Sequence, residues 1–364
     1  MIVRQLNLRN YRNYEKAQIV FDPGMNLITG NNAQGKTNLI ESLVYLSLTR
    51  SHRISSDRQL IREGCEFAEA SCTVSDGDDK KISAVIHSAG KNLMINRVPV
   101  KRSSEFVGIL NTVLFSPDDL GIFTDAPRER RRIVNQEITK ISPKQLYALN
   151  RYANLLKQKN TLLKMYNPDL SYLDILDEQM IREEVEIIRA RRRFTEGINS
   201  HMEGIYRNLS DEDASAGIVY DCCTGNDENI EESLKNMYRN ARQKDLENHV
   251  SSCGIHREDL IFTLNGKNVL LTASQGQKRM VMLAFKLSIL EFINDITGKK
   301  AVLLLDDVLS ELDRSRQKKL IDMIKNSYQC IITCTEIPEF LKKENPCEFY
   351  VENGKINRVT GGRR

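Results

Sequence analysis

The chain has 364 residues, of which 40% are hydrophobic, and its 53 basic and 49 acidic side chains give a net charge of +4. This length is enough to bury a sizeable core and predicts two domains, while the charge is below the level at which a basic bias alone indicates nucleic-acid binding. No apolar run approaches the roughly 18 residues of a membrane span, and the first residues lack the apolar core of a signal peptide, so we expect a cytoplasmic protein without a membrane partner.

The first functional motif is a glycine-bounded loop between a predicted strand and a predicted helix. Before it, the alternating pattern of "IVRQLNLRNYRNYEKAQIVF" predicts two strands joined by a basic turn. The loop fits G-x-x-x-x-G-K-[ST], a match expected by chance on the order of 0.01 times in such a chain, which disfavours a loop that binds nothing. The predicted ATP-binding residues are Gly30, Asn31, Asn32, Ala33, Gln34, Gly35, Lys36 and Thr37.

The residue types of this loop match the chemistry of a nucleoside triphosphate. Glycines allow backbone N–H groups to surround phosphate oxygens, and the N-terminus of the following helix adds a partial positive charge. Lys36 would neutralise the β- and γ-phosphates, and the Thr37 hydroxyl would ligate Mg²⁺. The loop therefore predicts ATP and Mg²⁺ as cofactors, with Lys36 in a catalytic role.

A long helical insertion follows the first third of the chain. From about residue 127 to residue 248 the composition is charged and helix-favouring. "RERRRIVNQEITKISPKQLYALNRYANLLKQKNTLLKM" predicts two helices broken near Ser142 and Pro143, and the 3–4 spacing of apolar residues from Leu173 to Leu209 predicts a short antiparallel hairpin. We therefore predict an ATPase head made of residues 1–126 and 249–364, with residues 127–248 as an insertion domain.

Two clusters of arginines stand in this insertion. A solvated helix face is the simpler explanation for each cluster alone, whereas two clusters on facing helices of an ATPase also suit the phosphates of DNA. Both interpretations stay open. The candidate DNA-binding residues are Arg128, Arg130, Arg131, Arg132, Arg189, Arg191, Arg192 and Arg193.

Four short polar residues stand directly before an apolar helical pattern in "LLTASQGQKRMVMLAFKL". Such residues usually cap a helix. Together with a P-loop and an acidic strand further on, they also have the layout of an ABC-type signature, in which a serine hydroxyl, a glycine N–H and the helix dipole face ATP bound by a second subunit. The residues are Ser274, Gln275, Gly276 and Gln277, and they predict an ATP-dependent head-to-tail homodimer.

An apolar strand that ends in two acids would complete the ATP site. "AVLLLDDVLSELD" has the form of a buried parallel strand with Asp306 and Asp307 at its carboxyl end. Asp306 would hold Mg²⁺, and Asp307 would orient or deprotonate the attacking water. The alternative, a solvated acidic turn, is disfavoured by the P-loop earlier in the chain. Since Lys36 and Asp306 lie far apart in the chain, the insertion splits the predicted site into two halves.

The cysteines show no metal-binding or disulfide pattern. The eight cysteines stand at positions 65, 72, 222, 223, 253, 330, 334 and 347. None forms a CxxC pair, so we expect neither a zinc site nor a disulfide framework. We interpret them as reduced structural residues.

These motifs together resemble the RecF family of bacterial recombination-repair ATPases, which is related to SMC proteins. The resemblance runs nearly end to end, through "NLRNYRNY", "ITGNNAQGKTNLIESL", "TRSHRISSDRQLI", "FSPDDLGIF", "RERRRIVN", "GIHREDLIFTLNGK", "ASQGQKR" and "LLLDDVLSELD". It implies an α/β fold with an ABC/SMC-type P-loop ATPase head and ATP-dependent dimerisation. It also implies binding to gapped DNA or single-strand/duplex junctions, cooperation with RecR and RecO in placing RecA on gaps, and roles in replication restart and the SOS response.

Two features depart from the general ABC pattern, and a further segment takes the part of a glutamine loop. Asp307 stands where transporters usually carry glutamate, and its shorter side chain predicts slow hydrolysis. Thr333 and Thr335 stand where a switch histidine is common, which leaves the γ-phosphate sensor unassigned. "FSPDDL" takes the place of a glutamine loop, with Asp118 or Asp119 as the residue that would reach Mg²⁺.

Other classes of protein share some of these motifs. The nucleotide-binding subunit of a membrane transporter would have a P-loop, but also a short helical insert, a glutamine loop and a switch histidine. Another SMC-like ATPase would share the head. A nuclease with an ATPase head would need a further cluster of acids or histidines, which the sequence does not show.

Overall fold

In a computed structural model of the chain, residues 1–225 and 227–360 are described, so the last four residues of the predicted third segment lie outside the described residues. The strands are β1 (Ile2–Tyr11), β2 (Tyr14–Val20), β3 (Met25–Thr29), β4 (Phe67–Asp76), β5 (Asp78–His87), β6 (Gly90–Ile95), β7 (Val98–Pro99), β8 (Thr112–Phe115), β9 (Ala216–Asp221), β10 (Asp259–Leu264), β11 (Lys267–Asn268), β12 (Val302–Asp306), β13 (Cys330–Cys334), β14 (Cys347–Glu352) and β15 (Lys355–Thr360). The helices are α1 (Lys36–Leu48), α2 (Ser103–Phe106), α3 (Pro127–Ile141), α4 (Pro143–Leu163), α5 (Leu170–Ser210), α6 (Ile230–Asn248), α7 (Val269–Thr272), α8 (Gln275–Thr297), α9 (Arg314–Ile324) and α10 (Glu339–Lys342). Within those two ranges, no helix combines the length and the apolar content that crossing a membrane requires.

The first compact unit contains the two large sheets. It comprises Met1–Leu120, Gly204–Asp213 and Met282–Arg364. One sheet is antiparallel, in the order β2-β1-β4-β5-β6-β7, and the other has the order β15-β14-β3-β13-β12-β8. Apolar side chains from both sheets and from α1 belong to one core, which includes Leu6 and Leu304. Because α1 is apolar on most of its surface, this core surrounds it.

The parallel part of the second sheet brings the two predicted halves of the ATP site to one edge. β13 pairs in parallel with β3 and with β12, and Thr333 is aligned with Ile28 on one side and Asp306 on the other. Loops and acids at the carboxyl ends of neighbouring parallel strands lie at the same edge of a sheet. The P-loop after β3 and the acids at the end of β12 therefore lie close together.

The second compact unit is mainly helical. It comprises Gly121–Glu203 and Ala214–Val281, with the three-stranded antiparallel sheet β11-β10-β9 beside the helices. α3 ends at Ile141 and α4 begins at Pro143, as the sequence predicts. Proline suits the first turn of a helix but cannot continue one, which explains the break.

Ion pairs show that α4 and α5 run antiparallel. Lys159 near the end of α4 pairs with Asp177 near the start of α5 at 2.9 Å, whereas Lys144 at the start of α4 pairs with Glu186 further along α5 at 2.6 Å. The predicted hairpin is thus present, although α5 has 41 residues. The boundaries predicted after residues 126 and 248 stay a prediction of where the insertion domain begins and ends.

Candidate ATP-binding site and signature helix

Two glycines fix the path of the P-loop. Gly30 has a φ of 145°, and a Cβ there would lie 2.3 Å from the Val351 carbonyl oxygen. Gly35 has a φ of 120°, and its Cβ would meet the side chains of Asn13 and Tyr14 at 2.7 Å. L side chains rarely adopt such a backbone conformation, and neither position has room for one. These glycines therefore hold the loop between β3 and α1 in one conformation.

The Lys36 ammonium lies against the loop that precedes it. It donates hydrogen bonds to the carbonyl oxygens of Gly30 at 2.7 Å and Asn31 at 3.1 Å. A buried ammonium needs such polar partners. The two carbonyl oxygens stand in for phosphate oxygens, which are charged and would bind the ammonium more strongly. Lys36 is therefore placed where it could neutralise a phosphate held by the loop.

The turn between β1 and β2 and the turn between β14 and β15 both stabilise the P-loop through hydrogen bonds. Asn13 Nδ2 donates to the Gln34 carbonyl oxygen at 2.8 Å, and the Tyr14 hydroxyl donates to the Gly35 carbonyl oxygen at 3.0 Å. In the turn between β14 and β15, Asn353 N donates to Gln34 Oε1 at 2.7 Å. Sequence reasoning did not find these contacts, because nothing local marks a residue that supports a loop 21 positions away.

Asp306 connects the second half of the site to the first. Its Oδ1 accepts hydrogen bonds from Thr37 Oγ1 at 3.1 Å and from Thr333 Oγ1 at 2.7 Å. Burial raises the pKa of Asp306, and the two hydroxyl groups oppose that rise only in part. A carboxylate that has lost water and faces a hydroxyl suits a hard cation such as Mg²⁺, which binds oxygen ligands. The donor set therefore fits the predicted metal.

Thr333 holds both acids in place. Its hydroxyl donates to Asp306 and accepts a hydrogen bond from Asp307 N at 3.0 Å. Asp307 has a φ of 53°, the left-handed region that a residue other than glycine adopts only when its surroundings hold it there. Thr333 is buried and Thr335 is exposed. Since the Thr333 hydroxyl is already used between the two acids, the γ-phosphate sensor stays unassigned.

The acids after β8 do not support the metal role expected for them. Asp119 Oδ1 forms an ion pair with Lys286 Nζ at 2.7 Å, and Asp119 Oδ2 accepts from Ser116 N at 2.7 Å. Both oxygens are therefore committed to neighbours in the first unit. Asp118 is exposed at the surface. This pair ties the segment after β8 to α8 instead.

The predicted signature residues form a capping box at the start of α8. Ser274 Oγ accepts a hydrogen bond from Gln277 N at 3.2 Å, and Gln277 Oε1 accepts one from Ser274 N at 3.0 Å. This reciprocal pair is a common way to satisfy the free N–H groups of a helix end. Ser274 and Gln275 are exposed, and Gly276 is half-buried. Ser274 and Gln277 therefore cap α8, and Ser274 and Gln275 are also accessible to solvent.

The arginine clusters separate into buried and exposed members. Arg191 is 2% exposed and donates to Glu258 Oε2 at 2.6 Å, and Glu258 itself is fully buried. Arg130 makes two 2.7 Å bonds to the Asp259 carboxylate, and Arg131 donates to the Glu258 carbonyl oxygen. A guanidinium that is occupied in this way cannot reach a DNA phosphate without losing its partner. The structure thus does not support a DNA contact by these three arginines.

The remaining arginines differ in how they are used. Arg192 donates to the carbonyl oxygens of Gly225 and Asp227, so it holds the loop after β9. Arg128, Arg189 and Arg193 are exposed, and the partly exposed Arg132 pairs with Glu129 within α3. These four remain candidates for phosphate contacts.

Comparisons with known proteins place the chain among RecF-like and SMC-like proteins. The RecF/RecN/SMC N terminal domain family matches residues 2–357. The DNA replication and repair protein RecF of Lachnoclostridium phytofermentans is 37% identical over 367 residues, covering 100% of this chain and 99% of that protein. A structure of the recombination mediator protein RecF with ATP, in the RecFOR pathway, matches with a TM-score of 0.91 and 32% identity over 98% of this chain and 97% of that one. The Smc head of Pyrococcus furiosus, 19% identical with a TM-score of 0.59 over 99% and 96% of the two chains, shares the fold. The predicted ABC/SMC-type fold class is confirmed.

Proposed function

Because the chain belongs to the RecF/RecN/SMC N terminal domain family, and within it to the RecF proteins, we propose that it is an ATP-dependent DNA-binding protein of recombinational gap repair. In this proposal two copies of the chain form a head-to-tail dimer when ATP and Mg²⁺ are bound, and they separate after slow hydrolysis. The dimer binds gapped DNA or a single-strand/duplex junction and helps RecO and RecR to load RecA. These activities serve replication restart and the SOS response.

The meeting of Thr37 and Asp306 is the observation that most supports the ATP-binding role. Their oxygens lie 3.1 Å apart although the two residues are 269 positions apart in the chain. Thr37 and Asp306 are the residues that would hold Mg²⁺, whose charge, when bound, offsets that of the phosphates. Lys36 and the P-loop N–H groups bind and orient the same phosphates.

Asp307 is the proposed general base. It follows Asp306 at the end of β12, where the hydrogen bond from its N–H to Thr333 holds its backbone. A carboxylate there can accept a proton from the water that attacks the γ-phosphate. Because aspartate is one methylene shorter than glutamate, it holds that water less closely, and hydrolysis is slow. Ser274 and Gly276 of a second copy supply the donors that complete the charge stabilisation.

The proposed DNA contacts are made by arginines that are exposed or partly exposed. Arg128, Arg132, Arg189 and Arg193 present charge without a recognition helix, so they would position phosphates and not read bases. Binding of this kind weakens with salt, with a log–log slope of about −0.9 per phosphate neutralised on duplex DNA.

Light scattering with and without a non-hydrolysable ATP analogue and Mg²⁺ tests the switch. We expect a dimer only with nucleotide, and none from Lys36→Met, because the phosphates lose their main counter-charge. Asp307→Asn should bind ATP and remain dimeric, with turnover lost. A chain that stays monomeric with ATP, or that binds gapped DNA no better in its presence, would overturn the proposal. Association with a membrane partner instead would favour a transporter subunit.

A further inference from the structure

Two adjacent cysteines follow β9 and lie against a buried carboxylate. Cys222 Sγ and Cys223 N both donate to Glu258 Oε1, at 3.5 Å and 3.1 Å. The two sulfur atoms and the nearest carboxylate oxygen lie within 4.8 Å of one another. Both cysteines are half-buried, so small molecules can reach the pair. A set of two thiols and a carboxylate at this spacing suits either a thiophilic metal ion or thiol chemistry.

The charges around the pair decide between these two uses. Arg191 forms an ion pair with Glu258 at 2.6 Å, and Arg192 Nη2 lies 3.9 Å from Cys222 Sγ. The same Arg192 nitrogen donates to Thr224 Oγ1 at 3.0 Å, which fixes the guanidinium beside the sulfur. Arg191 and Glu258 offset each other's charge, and the Glu258 carboxylate opposes ionisation of Cys222. The guanidinium of Arg192 is fixed beside the Cys222 sulfur, where it stabilises a thiolate and repels a cation. This placement favours thiol chemistry over a metal ion.

The pair also differs from Cys253 and Cys330. The hydrogen bond between the two thiols lowers the pKa of Cys222 and raises that of Cys223, so Cys222 is the thiol of the pair that loses its proton first. Burial instead raises the pKa of Cys253 to about 12, although that residue is also half-buried. Cys330 is fully buried, and its pKa is likewise raised to about 12. Only a thiolate is strongly nucleophilic. When Cys222 ionises it gives up its hydrogen bond to Glu258 and keeps those from Arg192 and the Cys223 thiol, so Cys222 is the thiol prepared to react.

We infer that Cys222 and Cys223 form a modification site for oxidants of the peroxide class. The Cys222 thiolate attacks one oxygen of hydrogen peroxide, the O–O bond breaks, and hydroxide leaves as the sulfur becomes a sulfenic acid. Cys223 then loses its proton and attacks the Cys222 sulfur, and the sulfenic hydroxyl leaves as water. The products are a disulfide between neighbouring residues and two waters, one formed when the hydroxide takes up a proton. A thiol reductant reverses the step.

The site is coupled to the arginines of α5. Glu258 accepts hydrogen bonds from the cysteine loop on Oε1 and from Arg191 on Oε2. Closing the disulfide moves the Cys223 N–H and the Cys222 sulfur, so it changes the hydrogen bonds that hold this carboxylate. Oxidation therefore changes the surroundings of the buried ion pair between Arg191 and Glu258, which anchors the part of α5 that carries the arginines.

Peptide mapping of the full chain after treatment with low equivalents of hydrogen peroxide tests the assignment. We expect the peptide with Cys222 and Cys223 to lose two hydrogens and to regain them with a thiol reductant. Cys223→Ser should stop at the sulfenic acid, which dimedone traps on Cys222, whereas Cys222→Ser should remain unmodified there. Cys253→Ser is the matched control, and in this variant Cys222 and Cys223 should be oxidised to the same extent as in the wild type.

A second measurement needs no variant and so does not depend on folding. The rate of iodoacetamide reaction at Cys222 should rise with pH and reach its plateau before about pH 7.5. Cys253 should react little across the same pH range. Oxidation of other cysteines before this pair, or a Cys222 rate that still rises about tenfold per pH unit at pH 8, would overturn the inference. So would stoichiometric zinc in the purified protein that Cys222→Ser loses, since that result assigns the site to a metal.

Discussion

Substitutions at Ser274 can separate the capping function of this residue from its proposed contact with a partner's ATP. Ser274→Ala removes the hydroxyl that accepts from Gln277 N at 3.2 Å, which should destabilise the protein by about 1 kcal/mol. Ser274→Asp keeps an acceptor at the same place, because aspartate caps helices as well as serine does. Its charge also suits the positive end of α8. We therefore expect Ser274→Asp to be as stable as the wild type.

The two variants should behave in the opposite order when dimerisation is measured. If Ser274 faces the γ-phosphate of a second copy, the aspartate places two negative charges about 4 Å apart, which at an effective dielectric constant of about 20 costs roughly 4 kcal/mol. That cost corresponds to a dimerisation constant weakened about a thousandfold for each contact, and a head-to-tail dimer contains the contact twice. Ser274→Ala loses only one hydrogen bond to a charged group at each contact, about 1.5–3 kcal/mol, or roughly ten- to a hundredfold per contact.

Urea unfolding and light scattering with a non-hydrolysable ATP analogue measure the two effects on the same preparations. Binding of ATP to the monomer, followed by calorimetry, should be unchanged in both variants because the P-loop and Asp306 are intact. Ser274→Arg is less informative, since it removes the cap and fills the pocket together. An ATP-dependent dimer of Ser274→Asp with wild-type affinity would refute the contact across the dimer and leave only the cap.

Three further predictions concern the P-loop, the arginines and pH. Asn13→Ala should weaken ATP binding about fivefold by calorimetry, since one hydrogen bond that holds the loop is worth about 1 kcal/mol. Arg191→Gln should lower the free energy of unfolding by about 3–5 kcal/mol, because it leaves Glu258 buried without its counter-charge. Arg193→Gln should leave the free energy of unfolding unchanged and reduce the log–log salt slope of DNA binding by about one. Burial raises the pKa of Glu184 to about 8 from 4.5, so the stabilisation by its protonated form is complete below pH 4.5 and is lost as pH rises to 8. Between pH 4.5 and pH 8, the free energy of unfolding of Glu184→Gln in urea should therefore rise by on the order of 4 kcal/mol relative to that of the wild type. If the difference between the two proteins does not change with pH, this carboxyl is ionised in the folded protein.

The parts of the site that the sequence predicts are those that local patterns define. A glycine-rich loop must follow a strand and begin a helix, and an apolar strand with terminal acids must be a buried parallel one. Once both strands belong to one parallel sheet, the proximity of Thr37 and Asp306 follows from the geometry of the sheet. Thr333 lies on the strand between them, but its two hydrogen bonds depend on a register that the sequence alone does not give.

The arginines show why a charged run is a poor guide to a surface. Arg191 and Arg193 are two positions apart on α5, yet one is buried and the other exposed. Arg191 lies one turn after Ile187 and one turn before Phe194, both of which belong to the buried stripe of the helix. This helical spacing indicates that Arg191 lies on the buried face of α5. The partner that makes its burial possible is 67 residues away in the chain, so nothing local revealed it.

The stretch at the start of α8 shows that capping a helix and binding a phosphate need not exclude each other. The capping box uses the N–H of Gln277, the third residue of the helix, and leaves the serine exposed. A phosphate at a helix end uses the N–H groups of the first residues and the dipole of the whole helix, here 23 residues long. An intramolecular cap that holds this end rigid in the monomer would therefore keep those first N–H groups oriented for the proposed second copy. Less ordering entropy would then be lost on forming the proposed dimer, and the cap would support the predicted signature and not be an alternative to it.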